Sequence, residues 1–223
     1  MGLAVVMMGA TGAVGGHTAH TLLASPQVAQ LTLLGRRPWQ PAQALPRQAQ
    51  QHQCDVLNPD SYRAFLPGHQ AAICTLGVGE PSKISRAEFL RIDRDAVLDF
   101  ARACRAAGIT HFSLLGSVGA DAASASFYLR AKGELENQLR ALDFPRLSLF
   151  QPSMILTPHN RYGLSQAVML ALWPKLQPLL FGRLRKYRGV MVTTLGAAIA
   201  NNVLRSGSGC EILQWDQFQA LKS

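Results

Sequence analysis

Close-set cysteines, the mark of a zinc site or dithiol centre, are missing from this 223-residue chain: Cys54, Cys74, Cys104 and Cys210 stand far apart, with no CxxC pair. Three of them fall in apolar or helical patterns, where a free thiol behaves as a small buried hydrophobe. That spacing excludes a disulfide framework and points to a reducing compartment. The histidines (His17, His20, His52, His69, His111 and His159) show no metal-ligand spacing, so no metal is expected. Long apolar runs are lacking too. The most hydrophobic late stretch, residues 167–184, is interrupted by Pro174, Lys175, Gln177, Pro178 and Arg183, which leaves no transmembrane helix. The N-terminus has no basic region of a signal peptide, and Val6 stands where a myristoylation motif needs Ser or Thr. A cytoplasmic location is the expectation. Acid is scarce, with 13 acidic against 22 basic residues and a formal net charge of +9, which favours anionic partners by steering.

What is present is a well-provided apolar chain: 48% of residues are hydrophobic and 16% charged, which excludes disorder. Folding should reduce roughly 35,000 Å² of exposed chain to about 10,000 Å², enough for one core without staples. Leu3 to Met8 is apolar on both faces, as in a central parallel strand. A glycine turn follows, then a helix from Val14 to Leu23 that stops before Pro26. Further strands are expected at Leu31–Leu34, at Cys54–Leu57, at Ala71–Leu76, at His111–Leu115 and at Leu147–Phe150. Pro38 to Gln53 reads as an irregular connection. Helices are expected from Pro59 to Phe65, from Ser85 to Ala107 with Gly108 as its stop, and from Ser126 to Leu142. Strand and helix alternate six times, the pattern of an α/β doubly wound parallel sheet. The alternating part should span residues 1–155. Residues 156–223 should form a small C-terminal cap on the substrate side, integrated with it and without its own core. That cap should hold a helix near Leu164–Leu172, the basic segment Arg183–Arg188, a strand at Val190–Val192 and a helix at Thr194–Leu204.

In such a sheet, ligands bind beyond the carboxyl ends of the strands, and the residues with chemistry in them cluster there. Gly9-Ala10-Thr11-Gly12-Ala13-Val14-Gly15 is a GxxGxxG turn between the first strand and first helix. Its glycines permit a tight turn, close approach to a pyrophosphate and close helix–strand packing, while the helix N-terminus faces the phosphates. Arg36 and Arg37 end the second strand, where an NAD site would carry Asp or Glu for the ribose 2′-hydroxyl. Guanidinium groups bind a 2′-phosphate instead, so NADP is expected over NAD; a solvated loop end is the plainer alternative. Asp55 and Val56 are placed to meet an adenine edge, and Leu76 and Gly77 to pass the middle of the cofactor. Tyr128 and Lys132 share a helix face at i,i+4. An ammonium beside a phenol favours the phenolate and fits Tyr128 for proton transfer to a carbonyl. Lys132 would also bond the nicotinamide ribose. Ser117, 11 residues before Tyr128, would bond the substrate oxygen. Gln151 and Pro152 should wall the nicotinamide, with Asn160 and Arg161 facing substrate or solvent. Arg183, Arg185, Lys186 and Arg188 are either a solvated surface or a peripheral contact for anionic lipid, nucleic acid or acidic protein. No stacking aromatics or helix-turn-helix pattern accompany them, so no nucleic acid is expected.

The glycine turn, Gly35-Arg36-Arg37, Cys54-Asp55-Val56 and the blocks Arg91-Ile92-Asp93-Arg94-Asp95, His111 to Asp121 and Tyr128 to Glu134 together resemble the Tat-interacting-protein-like branch of the atypical short-chain dehydrogenase/reductase family. The likeness covers about the first 155 residues closely and the rest loosely. It implies a Rossmann fold, NADP(H) binding and a Ser–Tyr–Lys site transferred to Ser117, Tyr128 and Lys132. No asparagine completes a four-residue site, and the Ser-to-Tyr interval is short. Two functions stay open: an NADP(H)-dependent oxidoreductase on a small carbonyl or hydroxyl substrate, or an NADP(H)-binding regulatory module with a protein partner. A monomer or homodimer is compatible with either.

Overall fold

The computed structural model describes residues 2–41, 44–157 and 180–222. Six strands of the first 150 residues are β1 (Leu3–Met8), β2 (Val28–Gly35), β3 (Ala49–Gln53), β4 (Ala71–Cys74), β5 (His111–Leu115) and β6 (Arg146–Phe150). The main helices among them are α1 (Ala13–Ala24), α2 (Arg86–Leu90), α3 (Ala96–Ala106) and α4 (Phe127–Arg140). After β6 come β7 (Ile155–Leu156), β8 (Val190–Met191), α5 (Val192–Leu204), β9 (Gly209–Leu213) and α6 (Trp215–Leu221). The main sheet has the order β3-β2-β1-β4-β5-β6-β9, all pairs parallel, and β7 and β8 pair separately.

β1 shows why the sheet is covered twice. Val5 and Met7 belong to a core shared with α1, α5 and α6, whereas Val6 and Met8 join α3 and α4 on the opposite face. Strand alternation sends neighbouring residues to opposite faces, so an all-apolar strand needs helices on both. α5 lies close on α1 at Gly196, where a Cβ would stand 2.6 Å from His17 Cβ. The reversal of strand order between β1 and β4 opens the crevice where ligands of such sheets bind.

Several elements differ from expectation. The third strand is Ala49–Gln53, inside the supposed irregular connection, and Cys54–Leu57 is the turn after it. Its sequence AQQHQ is polar because it is the sheet's edge, and an edge strand buries little. Pro59–Phe65 is not one helix but two 3₁₀ turns, begun by Asn58, whose Oδ1 accepts from Asp60 N at 3.1 Å. The long helix from Ser85 is interrupted by a π-helical turn at Arg91–Asp95. C-terminal residues do more than cap. α5 and α6 complete the core against β1 and α1, and β9 extends the sheet beside β6. The helix expected at Leu164–Leu172 lies outside the described residues.

β9 is fastened by a buried polar network at the amino ends of β5 and β6. Arg146 bonds Glu211 through Nε at 3.0 Å and Nη2 at 2.8 Å, and Asn202 Oδ1 at 3.0 Å. Ser148 donates to Glu211 at 2.6 Å and lies 2.8 Å from His111 Nε2. Burial first, and repulsion by Arg146 second, depress the His111 pKa to about 3, so the ring is neutral. Among the described residues no helix is long and apolar enough to cross a membrane, and no group of His, Cys, Asp and Glu is placed to hold a metal ion.

Candidate functional site

The turn from β1 into α1 needs glycine at two positions for the protein's own sake. Gly9 has φ +100°, and a Cβ there would meet the Thr75 backbone at 2.6 Å. At Gly15 a Cβ would stand 2.1 Å from the Gly9 carbonyl oxygen, so this glycine sets the contact of α1 with the turn. Gly12 is different. Its φ is −75°, and its Cβ position meets only Gly9 O, at 3.3 Å. The fold nearly tolerates a side chain there, and the bare backbone leaves space for a phosphate. Gly12 caps α1 without any side-chain hydrogen bond, and the first turn carries no acid. The dipole's positive end and its N–H groups are therefore left for an anion. This cradle fits a dinucleotide pyrophosphate.

A cavity of about 350 Å³ opens beside the turn. Of the expected residues it is lined by Gly9, Ala10, Thr11, Gly12, Arg36, Arg37, Val56, Leu76 and Gly77. Ala13 borders an adjoining cavity around α1, and Val14 is buried in the core. Arg36 and Arg37 are exposed, and neither guanidinium has an ion-pair or hydrogen-bond partner among the described residues. None of the lining residues is acidic. Asp55 does not line the cavity: its Oδ1 accepts from Leu57 N at 3.0 Å and holds the turn after β3. Trp39, Gln51 and His52 line it without having been foreseen. Gln51 clamps the Trp39 backbone, accepting from N at 2.7 Å and donating to O at 3.1 Å, and His52 stacks on Phe65 at 3.8 Å. They stand in or beside the Pro/Gln-rich connection, which no motif marks; only pairing with β2 brings them to the crevice.

On α4, Lys132 Nζ lies 5.9 Å from the Tyr128 ring centroid, and that ring packs on Phe89 at 5.6 Å. α4 is drawn tightly to the loop after β5, since a Cβ at Gly133 would stand 2.2 Å from Ala122 N. Ser117 sits in that loop, and its hydroxyl turns to Val118 O at 3.4 Å. Lys132 is committed elsewhere than expected. Its ammonium bonds Asp93 Oδ1 at 2.9 Å, with both side chains buried. Burial works against the charged amine, but the Asp93 carboxylate overrides it and holds Lys132 above the ordinary lysine range. Asp93 comes from the π-helical turn, and no spacing rule links it to Lys132, 39 residues on.

Gln151 and Pro152 follow β6. The Gln151 amide donates to both Glu136 oxygens at 2.9 and 3.0 Å and accepts from Gln214 at 3.0 Å. Pro152 O accepts from Val118 N at 2.9 Å. Both thus secure the loops at this edge. Burial raises the Glu136 carboxyl despite those bonds. Asn160 and Arg161 lie outside the described residues. Residues Gly182–Tyr187 form a 3₁₀ helix, and three of the four cluster residues are engaged, Lys186 lying 5.2 Å over the Tyr187 ring. Arg185 pairs with Asp216 at 2.6 Å, and the Arg185 and Arg188 guanidinium groups cover Trp215 at 5.2 and 4.9 Å.

Comparison with known proteins agrees with the geometry. A family model described as NAD(P)H-binding matches residues 9–151. Protein HTATIP2 of Rattus norvegicus is 32% identical over 209 residues, 92% of this chain and 83% of that protein. A protein named fmp52, mitochondrial, of Emericella nidulans is 31% identical over 170 residues, covering 74% of this chain and 72% of its own length. Among solved structures, MoeE5 in complex with UDP-glucuronic acid and NAD has a TM-score of 0.72 at 17% identity, covering 95% of this chain and 76% of its own. UDP-glucose 4-epimerase of Thermotoga maritima has a TM-score of 0.69 at 13% identity, with 99% and 82% covered. These last two share the fold. The chain belongs to the NAD(P)H-binding family of Rossmann-fold, oxidoreductase-like proteins, in the Tat-interacting-protein-like branch of the short-chain dehydrogenases/reductases.

Proposed function

We propose that this protein is an NADP(H)-dependent oxidoreductase acting on a small carbonyl or hydroxyl substrate, with Tyr128 as general acid–base. One observation carries the reading: a nucleotide cavity whose described lining is free of acid holds two guanidinium groups without a partner among the described residues, and the Tyr128–Lys132 pair is joined to its Gly77 wall through Asp93. Arg36 and Arg37 favour NADP because a phosphate gains bidentate bonds there, and none of the described lining residues is a carboxylate that would repel it. Gly9 to Gly12 and the start of α1 would hold the pyrophosphate, while the backbone of Leu76 and Gly77 would pass the ribose. When bound, the cofactor supplies hydride to the carbonyl carbon, or accepts it from the alcohol. Tyr128 gives its hydroxyl proton to the carbonyl oxygen and takes it back in oxidation. Lys132 stabilises the phenolate left behind, and Ser117 donates to the substrate oxygen. The test is Tyr128→Phe over a carbonyl panel: NADPH oxidation should fall about 100-fold or more, with NADPH affinity kept. Full activity in that variant removes Tyr128 from the mechanism.

A regulatory NADP(H)-binding module with a protein partner is favoured by a different observation. Ser117 turns to Val118 and Lys132 is locked to Asp93, so neither stands free. Cofactor-dependent capture of a partner without turnover would select this reading. A cytoplasmic location is proposed with either, and the relatives named mitochondrial make the compartment a direct experimental question.

A further inference from the structure

The 3₁₀ helix Gly182–Tyr187 and its two flanking residues sort their side chains into rows, because residues three apart eclipse one another in such a helix. One row is Phe181, Leu184 and Tyr187. It is apolar and faces water: the three are 73%, 48% and 38% exposed, and Phe181 is the most exposed large apolar side chain among the described residues. A second row, Arg185 and Arg188, faces the protein. Both guanidinium groups cover the Trp215 ring, Arg185 pairs with Asp216 at 2.6 Å, and Arg188 Nε donates to Leu180 O at 2.7 Å. Trp215 Nε1 in turn donates to Gly189 O at 3.2 Å. The third row, Arg183 and Lys186, borders an open cleft whose one acid, Asp216, is already taken by Arg185.

The segment is thus fastened from behind, with an apolar row and two cations turned outward. Left in water, the apolar row costs free energy that its backing does not relieve. Apolar side chains beside Lys and Arg suit the headgroup region of an anionic bilayer, where the first reach the acyl boundary and the second meet lipid phosphates. The sequence extends the match: no Asp or Glu occurs between Asp143 and Glu211, against eight Lys and Arg, so no carboxylate of this stretch opposes an anionic surface. Nucleic acid or an acidic protein would satisfy the cations and leave Phe181 and Leu184 in water. We propose that Phe181, Leu184 and Tyr187, with Arg183 and Lys186, form a peripheral docking surface for an anionic lipid bilayer. The contact is reversible and weakened by salt, and it does not depend on the chemistry assigned to Tyr128.

Vesicle flotation of the whole protein tests this. Vesicles of phosphatidylcholine with phosphatidylglycerol should bind it about tenfold or more tightly than phosphatidylcholine alone. Arg183→Glu/Lys186→Glu should weaken that binding about tenfold or more, and so should Phe181→Ser/Leu184→Ser, which leaves the charge unchanged. Arg63→Glu/Arg102→Glu makes the same change in net charge at exposed side chains elsewhere, and binding should stay within about threefold of the wild type. Equal loss in this last pair would show attraction by net charge alone and overturn the proposal. Undiminished binding by a folded Phe181→Ser/Leu184→Ser would overturn it as well. Should the variants not fold, the wild type decides: no preference for the anionic vesicles overturns the proposal. Capture of duplex DNA or polyglutamate through Arg183 and Lys186, without vesicle binding, would overturn it in favour of those partners.

Discussion

Gly12 and Gly15 of the first turn are separable by experiment because they do different work. Gly15→Ala drives a methyl to 2.1 Å from the Gly9 carbonyl oxygen, which is backbone and cannot swing away. α1 or the turn must shift, at a cost of about 3 kcal/mol or more, the upper range for overpacking. Gly12→Ala meets the same oxygen at 3.3 Å, at a φ that any residue adopts. A shift of a few tenths of an ångström relieves it. The unfolded chain also loses freedom, which offsets about 0.4–1 kcal/mol. The net change in stability should stay within about 1 kcal/mol. The same methyl, however, intrudes where the pyrophosphate is to approach the helix start, so NADPH affinity should fall about tenfold or more. Urea denaturation and nucleotide fluorescence on the two purified variants separate the effects. Wild-type NADPH affinity in Gly12→Ala would refute the assignment of this turn to the phosphates, and an unaffected stability in Gly15→Ala would refute the packing argument.

Acid stability should carry a His111 signature. Above about pH 6.5 the ring is neutral folded and unfolded; below it only the unfolded chain takes the proton, because the folded pKa lies at about 3. Stability should therefore decline as pH falls from about 6.5 toward 3, by about 2 kcal/mol at pH 5. His111→Gln should flatten this window in urea titrations; an unchanged slope would show that the ring is not held neutral. Glu211, whose bonds to Ser148, Asn202 and Arg146 outweigh burial and lower its pKa, acts lower: its contribution disappears as pH drops below the ordinary carboxylate value. Gly196→Val should cost about 2–3 kcal/mol by forcing α5 off α1, where the new Cβ meets His17 Cβ at 2.6 Å and Thr18 N at 3.0 Å. A melting temperature like the wild type's would contradict that contact.

Legibility in the sequence followed burial. β1 and the glycine turn could be read because the strand is apolar on both faces and the turn's glycines are there for steric reasons. β3 could not, since an edge strand of Ala, Gln and His carries no hydrophobic alternation. β9 hid for a related reason: its Ile212 is 49% exposed, and Arg146 from a distant segment binds the strand at Glu211. The apolar period around Phe89, Ile92, Val97 and Phe100 runs through the π turn, so the sequence read as one uninterrupted helix. At the site, Tyr128 and Lys132 were visible as an i,i+4 pair, whereas Asp93 is joined to them only by tertiary packing of two helices. Asp55 is not among the cavity's lining residues and bonds Leu57 N, since an Asp ending a strand serves a local turn as readily as a ligand.

The most direct measurement is calorimetric titration of the purified protein with NADPH and with NADH, repeated on Arg36→Glu/Arg37→Glu. The account predicts that NADPH binds about tenfold or more tightly than NADH, and that the double variant reverses or erases that difference by losing NADPH affinity. Absence of heat for both nucleotides at about millimolar concentration, a level that detects even weak affinities, would contradict the account; so would a preference for NADPH that survives loss of both arginines.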